Sequence, residues 1–321
     1  MPTPPHPLAP GLGDAFTVAQ ALAVGHTASR LRARDLDKPY RGARRVVTPP
    51  APAAPHDAPL ARDRAERERV VRAARAYRPV MPPGAVFVGR TAAVLWGLPC
   101  AHGDELHVGV FAPRHGVRRP GIRGVKLSPR LVGTCTLERM PVADPASTWA
   151  MLGAELSVRQ LIVLGDAVVR IPRDQRGHPQ PAQQLCTVAG LRAAAEAPRR
   201  RHRDRLSTAL DGIRVGAMSP LETDFRLVTV AAGLPEPDLD VEIRDERGYL
   251  IGIADAVYPR ERVIVEVEGD HHRVSRTQWQ RDIEKHAAYG AAGWRVVRLT
   301  SAHISGPHPL APALLRAALG A

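Results

Sequence analysis

The chain has 321 residues, with 45 Lys and Arg against 32 Asp and Glu, a formal net charge of +13 at pH 7 and a pI of about 10.8. That length leaves room for two or three domains, each with its own core, and the positive field suits a polyanionic partner, nucleic acid first, because phosphate contacts release counterions. Three scattered cysteines, Cys100, Cys135 and Cys186, argue against a zinc finger or a disulfide framework; with no apolar run of membrane-span length and no signal pattern, the expectation is a cytoplasmic protein without a membrane partner.

Residues 1–47 open Pro-rich and continue as a helix-turn-helix outline. Val18, Ala21 and Leu22 give one short helix, Gly25 ends it, and Thr27 caps a second helix carrying Leu31, with Arg30 and Arg34 on a common face. PYRGARRVV follows as a β-hairpin or wing. Arginines projecting from a second helix suit phosphate and base contact; two short helices with no recognition role remain the alternative. Residues 48–62 begin TPPAPAAPHDAP and read as an extended linker.

Residues 63–170 read as a small α+β region. A charged helix carries Val70, Val71, Ala74 and Tyr77 on its apolar stripe, and a second helix in GRTAAVLWGLP places Trp96 as a core anchor. Short strands follow in LHVGVFAP and IRGVKLSP, and helical spacing returns through LIVLGDAVVR, where Asp166 is a lone carboxylate suited to structural pairing or capping. Residues 171–217 form a helical connector. It contains PRRRHRDR, a solvated run that would also serve as a nonspecific phosphate clamp.

Chemistry concentrates in residues 218–321. SPLETDF starts a helix through a capping box, with Ser219 as cap, Pro220 at the first position and Glu222 closing the box. LDVEIRDERGYLIGIADAVYPRERVIVEVEGDHH then reads as three antiparallel strands joined at DERG and PRER. Strand alternation puts Ile251, Ile253, Asp255 and Val257 on one face, and Ile264, Glu266 and Glu268 on one face of the next strand. The hairpin can thus set Asp255 beside Glu266. Two buried anions at that distance must be protonated, paired or bridged, and Mg2+ (or Mn2+) is the natural bridge, since it prefers carboxylate oxygens and completes its shell with phosphate. His271 and His272, adjacent at the strand end, point opposite ways, so at most one faces such a site.

In this order, Glu222, Asp255 and then Glu266-Val267-Glu268 resemble the PD-(D/E)XK nuclease fold, and most closely the very-short-patch-repair (Vsr)-like endonuclease domains. The helix SRTQWQRDIEKHAAYG, with Gln278, Arg281, Lys285 and Tyr289 on one face, resembles the Q-x-x-R-D helix of that family, and GWRVVRLT its closing strand. The match covers about residues 218 to 305. Two departures stand out: Ala254 precedes Asp255 where the motif has proline, and Glu268 stands where the motif has its lysine. Lys285, the one lysine of this region, lies on the following helix, from which its amine could reach the same place. More loosely, residues 16 to 170 resemble the AbiEi type of abortive-infection antitoxin, through R-T-A-A-x-L-W-G-L and L-G-D-A-V-V-R.

These resemblances imply an α/β protein whose carboxy-terminal part is a restriction-endonuclease-like mixed sheet flanked by helices, behind a winged helix and a small α+β region. They imply a Mg-dependent DNA endonuclease, with Asp255, Glu266, the Val267 carbonyl and Glu222 around the metal, and Glu268 and Lys285 as further catalytic groups. DNA contacts would come from Gln278, Arg281, His271, His272, Arg30 and Arg34. The competing expectation is a DNA-binding regulator of antitoxin type, with a toxin as partner, whose nuclease fold has lost catalysis.

Overall fold

Residues 6–47, 58–269 and 276–320 are described by the computed structural model, and they divide into two units, Met1–Asp144 and Pro145–Ala321. No helix among the described residues is long and apolar enough to cross a membrane. In the first unit, β1 (Ala15–Thr17) leads directly into α1 (Val18–Ala23). Thr17 caps that helix reciprocally with Gln20, its hydroxyl accepting from the Gln20 N–H at 3.0 Å while the Gln20 amide oxygen accepts from the Thr17 N–H at 2.8 Å. The expected second helix is instead a single 3-10 turn over Arg30–Arg32. Its side chains explain the difference. Arg30 turns inward, 9% exposed, and forks onto Asp35 at 2.8 and 2.7 Å, so the chain must fold back within five residues rather than continue helically. A hairpin is present but starts before the expected PYRGARRVV stretch: β2 (Leu36–Asp37) precedes it and pairs with β3 (Ala43–Val46), and the two join β1 in the antiparallel order β1-β3-β2.

The rest of the first unit is α2 (Ala58–Tyr77), β4 (Val86–Phe87), α3 (Gly89–Leu95), β5 (Leu106–Phe111), β6 (Arg118–Arg119), β7 (Ile122–Leu127), β8 (Thr134–Leu137) and β9 (Met140–Ala143). Among the described residues β4 to β9 form one mixed sheet in the order β6-β7-β5-β4-β9-β8. The apolar stripe expected on α2 is buried at Val70, Ala74 and Tyr77. Trp96 donates its indole N–H to the Ala143 carbonyl at 2.9 Å.

The second unit begins with α4 (Pro145–Leu152), α5 (Val158–Val169), α6 (Val188–Glu196) and α7 (Arg203–Gly212). It therefore takes in helices that the sequence divides between an α+β region and a connector. Next come α8 (Pro220–Ala231), β10 (Asp238–Arg244), β11 (Leu250–Tyr258), β12 (Val263–Glu268), α9 (Arg276–Ala291), β13 (Arg295–Thr300), α10 (Ser301–Ile304) and α11 (Ala311–Leu319). The sheet runs β10-β11-β12-β13, antiparallel except for the parallel pair β12/β13, whose connection is α9. Helices cover both faces. Phe225, Ile304, Ala311 and Leu315 of α8, α10 and α11 pack on Val263, Val265 and Val267, while Tyr289 of α9 packs on Ile243, Val257 and Ile264 on the other face.

Asp166, on α5, has the structural role expected of it. At 1% exposure it accepts from the Arg226 guanidinium and the Thr223 hydroxyl, each at 2.9 Å, and from the Arg214 N–H at 2.8 Å. Arg226, 2% exposed, also donates to Glu236 at 2.9 Å and to the Gly212 carbonyl at 2.8 Å. This buried pair ties α8 to α5 and so fixes the helix that carries Glu222.

Candidate active site

The candidate site lies where β11 and β12 separate. Their ladder ends at Ala256↔Val265, so the next positions, Asp255 and Glu266, face each other across an unpaired gap. There the Asp255 carboxylate, rather than a backbone carbonyl, accepts the Val267 N–H at 2.7 Å. In an antiparallel pair a residue turns its N–H and C=O toward the same neighbour, so the Val267 carbonyl is directed to this gap as well.

Around Asp255 the strand also changes phase. Ala254 belongs to the layer under α9, and so does Val257, whereas Ala256 and Tyr258 face α8, α10 and α11. The shared face expected for Ile251, Ile253, Asp255 and Val257 therefore does not hold. On the other side of β11, Asp240 falls between the paired Leu239 and Val241, opposite Asp255, and has φ of 55°. An aspartate holds that strained conformation only when the surroundings fix it, and Arg173 does so. Its guanidinium donates to both carboxylate oxygens of Asp240, at 2.8 and 2.9 Å, to the Asp240 carbonyl at 3.0 Å and to Glu242 at 3.3 Å.

Glu222 reaches the site from the first turn of α8. Ser219 caps the helix as expected, its hydroxyl accepting from the Glu222 N–H at 3.2 Å. The Glu222 carboxylate does not close the box on Ser219 but accepts the Met218 N–H at 2.7 Å. At 6% exposure its carboxyl is pushed up to about 8, by burial first and then by the negative charges of Asp255 and Asp240.

Glu266, 8% exposed, is pushed up to about 7 by burial and by Asp255, and is held back by Lys285, whose ammonium donates to it at 3.0 Å. Lys285 arrives on α9, over Gly252. A β-carbon at position 252 would stand 2.9 Å from Lys285 Cδ and 2.5 Å from the Tyr289 hydroxyl. Tyr289 is fully buried, its hydroxyl has no hydrogen-bond partner among the described residues, and burial together with Glu266 and Asp255 raises its pKa.

The remaining expected residues divide. Glu268, in the motif's lysine position, is ion-paired with Arg298 across the β12/β13 pair. The backbone of Gln278 and Arg281 lies in α9, but their side chains are outside the described residues, as are His271 and His272 entirely. Arg34 is exposed while Arg30 is buried against Asp35 in the first unit, so the two do not present a common face. Asp240, Arg173 and Tyr289 were not among the expected site residues. The acid within LDVEI was a signal for Asp240; nothing in the sequence signals Arg173, which lies 67 residues away from it.

Three carboxyls from three elements thus share one electrostatic neighbourhood with one ammonium. Each carboxylate is engaged with a different donor, and among the described residues no three His, Cys, Asp or Glu side chains are grouped to hold a metal ion. Compared with protein-family models and with curated proteins, the chain matches none.

Proposed function

We propose that the carboxy-terminal unit hydrolyses phosphodiester bonds in DNA with the help of a divalent cation. The observation that supports this is the convergence of Glu222, Asp255 and Glu266, from α8, β11 and β12, with the amine of Lys285 on Glu266. The residues fit a small hard cation in kind: their donors are carboxylate oxygens, and burial, with the negative charge of Asp255 second, raises both Glu222 and Glu266, which a bound cation would reverse. Asp255, Glu266 and the Val267 carbonyl would hold Mg2+ (or Mn2+), with Glu222 outside them. Bound there, the ion would lower the pKa of a water and offset charge on the scissile phosphate.

The protein's own groups do the rest. Lys285 supplies the cationic amine that position 268 lacks, and on leaving Glu266 it can bind a phosphate oxygen. Glu268, expected as a further catalytic group, is ion-paired with Arg298. Arg173 and Asp240 fix the backbone opposite Asp255. Gln278, Arg281, His271 and His272 remain proposed phosphate contacts.

One feature favours a second reading, a DNA-binding regulator without cleavage. Each of the three carboxylates already has a protein donor, as in a site that no longer takes metal. Plasmid nicking and thermal melts with and without Mg2+ or Mn2+ separate the two. Wild type should nick DNA and melt higher with metal, and Asp255→Asn, Glu266→Gln and Lys285→Ala should each lower nicking by about two orders of magnitude or more. A wild type that neither nicks nor gains stability from either ion leaves the regulator reading in place.

A further inference from the structure

The first unit has a concave surface of its own, with a different chemistry. A cleft of about 630 Å3 is lined by Arg64, Arg67, Arg72 and Arg75 of α2 and by Arg45 of β3, over an apolar floor that includes Val71, Leu95 and Met140. The four helix arginines spread over an arc of about 140° of α2 and all line the cleft, and from 64 to 75 they extend about 16 Å along its axis. Arg67 lies against Gly97, which has φ of 76°, and a β-carbon there would stand 2.7 Å from its Nη1. That position leaves room for the guanidinium and nothing else.

Asp14, Glu68 and Glu138 also line the cleft, so arginine is in excess but not alone. Arg75 pairs with Glu138 at 2.7 Å, yet both side chains are more than half exposed, at 61% and 62%. Solvent screens such an exposed pair, so an incoming phosphate can take Arg75 from it. Among the described residues neither Arg67 nor Arg72 has an ion-pair partner.

We propose that this cleft binds the sugar-phosphate backbone of DNA, its guanidiniums following successive phosphates and its floor meeting the sugars or bases. A row of guanidiniums about 16 Å long matches a chain of phosphates rather than one small anion, and planar guanidinium forks match phosphate oxygens in pairs. The inference shares its partner class with the proposed function but uses none of the carboxylate chemistry.

The test is fluorescence anisotropy with the full chain in EDTA, using a labelled duplex and its labelled single strand across a salt series. Arg67→Gln/Arg72→Gln should weaken binding about tenfold or more at low salt and reduce the slope of log K against log salt by about 2. Arg67→Lys/Arg72→Lys should keep most of that slope. If the double Gln variant does not fold, Arg72→Gln alone should reduce the slope by about 1. Unchanged affinity and slope in the Gln variants would overturn the proposal, as would competition by polyglutamate as strong as by DNA at equal charge, which would assign the cleft to an acidic protein surface. Because binding is read without divalent metal, a chain that binds but never cleaves keeps this inference and loses the catalytic one, and the reverse result separates them equally.

Discussion

Glu222 and Glu266 carry the clearest consequence of burying like charges together. Both carboxyls are raised in the folded state, to about 8 and about 7, from ordinary values near 4.5. Between those limits the folded chain binds more protons than the unfolded one, so their contribution to stability is fully present below about pH 4.5 and is lost as pH rises through 7 to 8. Glu222→Gln keeps an acceptor for the Met218 N–H but cannot ionise. Without metal its melting temperature relative to wild type should therefore rise from pH 5.5 to pH 8, and added Mg2+ should shrink the difference; parallel melting curves across that range would show that burial and Asp255 do not raise the Glu222 carboxyl. At this scale the sequence was legible where residue type sufficed: acids on apolar strands pointed to Asp255 and Glu266 as neighbours, and the Lys285 amine of the next helix is found on Glu266. Arg30 was not legible in the same way. Whether an arginine projects or pairs inward depends on Asp35, and spacing alone does not record that.

At the scale of elements, α9 crosses β11 so closely that Gly252 is the condition for its position. Gly252→Ala would place a β-carbon 2.5 Å from the Tyr289 hydroxyl and 2.9 Å from Lys285 Cδ. Neither Tyr289, fully buried, nor Lys285, bound to Glu266, can give way without moving the helix, so the variant should lose about 1–3 kcal/mol, measurable by denaturant unfolding. It should also lose more nicking activity than its stability loss explains, because Lys285 moves with α9. Three strands of this sheet and α8 could be read from period, turn residues and the Ser219-Pro220 start, whereas the fourth strand was expected only from the resemblance of GWRVVRLT. The change of phase at Asp255 could not, because alternation assumes an unbroken ladder, and this ladder stops at Ala256↔Val265. The second helix of the amino-terminal outline failed for a related reason: a glycine stop and a threonine cap are compatible with a single 3-10 turn, and a partner five residues on decided between them.

At the scale of the whole chain, the division at Asp144 and Pro145 is the main departure from what composition suggested. The Pro-rich stretch after residue 47 looked like a boundary, yet residues on both sides of it belong to the first unit, and no break in composition marks position 145. Contacts between distant segments made the division: both layers over the β10 to β13 sheet, and the Asp166–Arg226 pair beneath α8, arise within residues 145–321. A chain of residues 145–321 should accordingly fold alone, melt in one cooperative transition and show the same stabilisation by Mg2+ as the full protein; a noncooperative melt would mean that its core needs the rest.

The Asp166–Arg226 pair also constrains how this chain can drift. Removing Arg226 leaves Asp166 a buried carboxylate without its guanidinium, and removing Asp166 leaves Arg226 only the half-buried Glu236 as a counter-charge; breaking such a buried pair costs about 3–5 kcal/mol, a large share of what a domain has to lose. Exchanging both together for apolar residues of similar volume can be nearly neutral. Positions 166 and 226, sixty residues apart, are therefore inherited as one character: a descendant that changes the first without the second passes through a barely folded ancestor, and the route to any other solution runs through a double step.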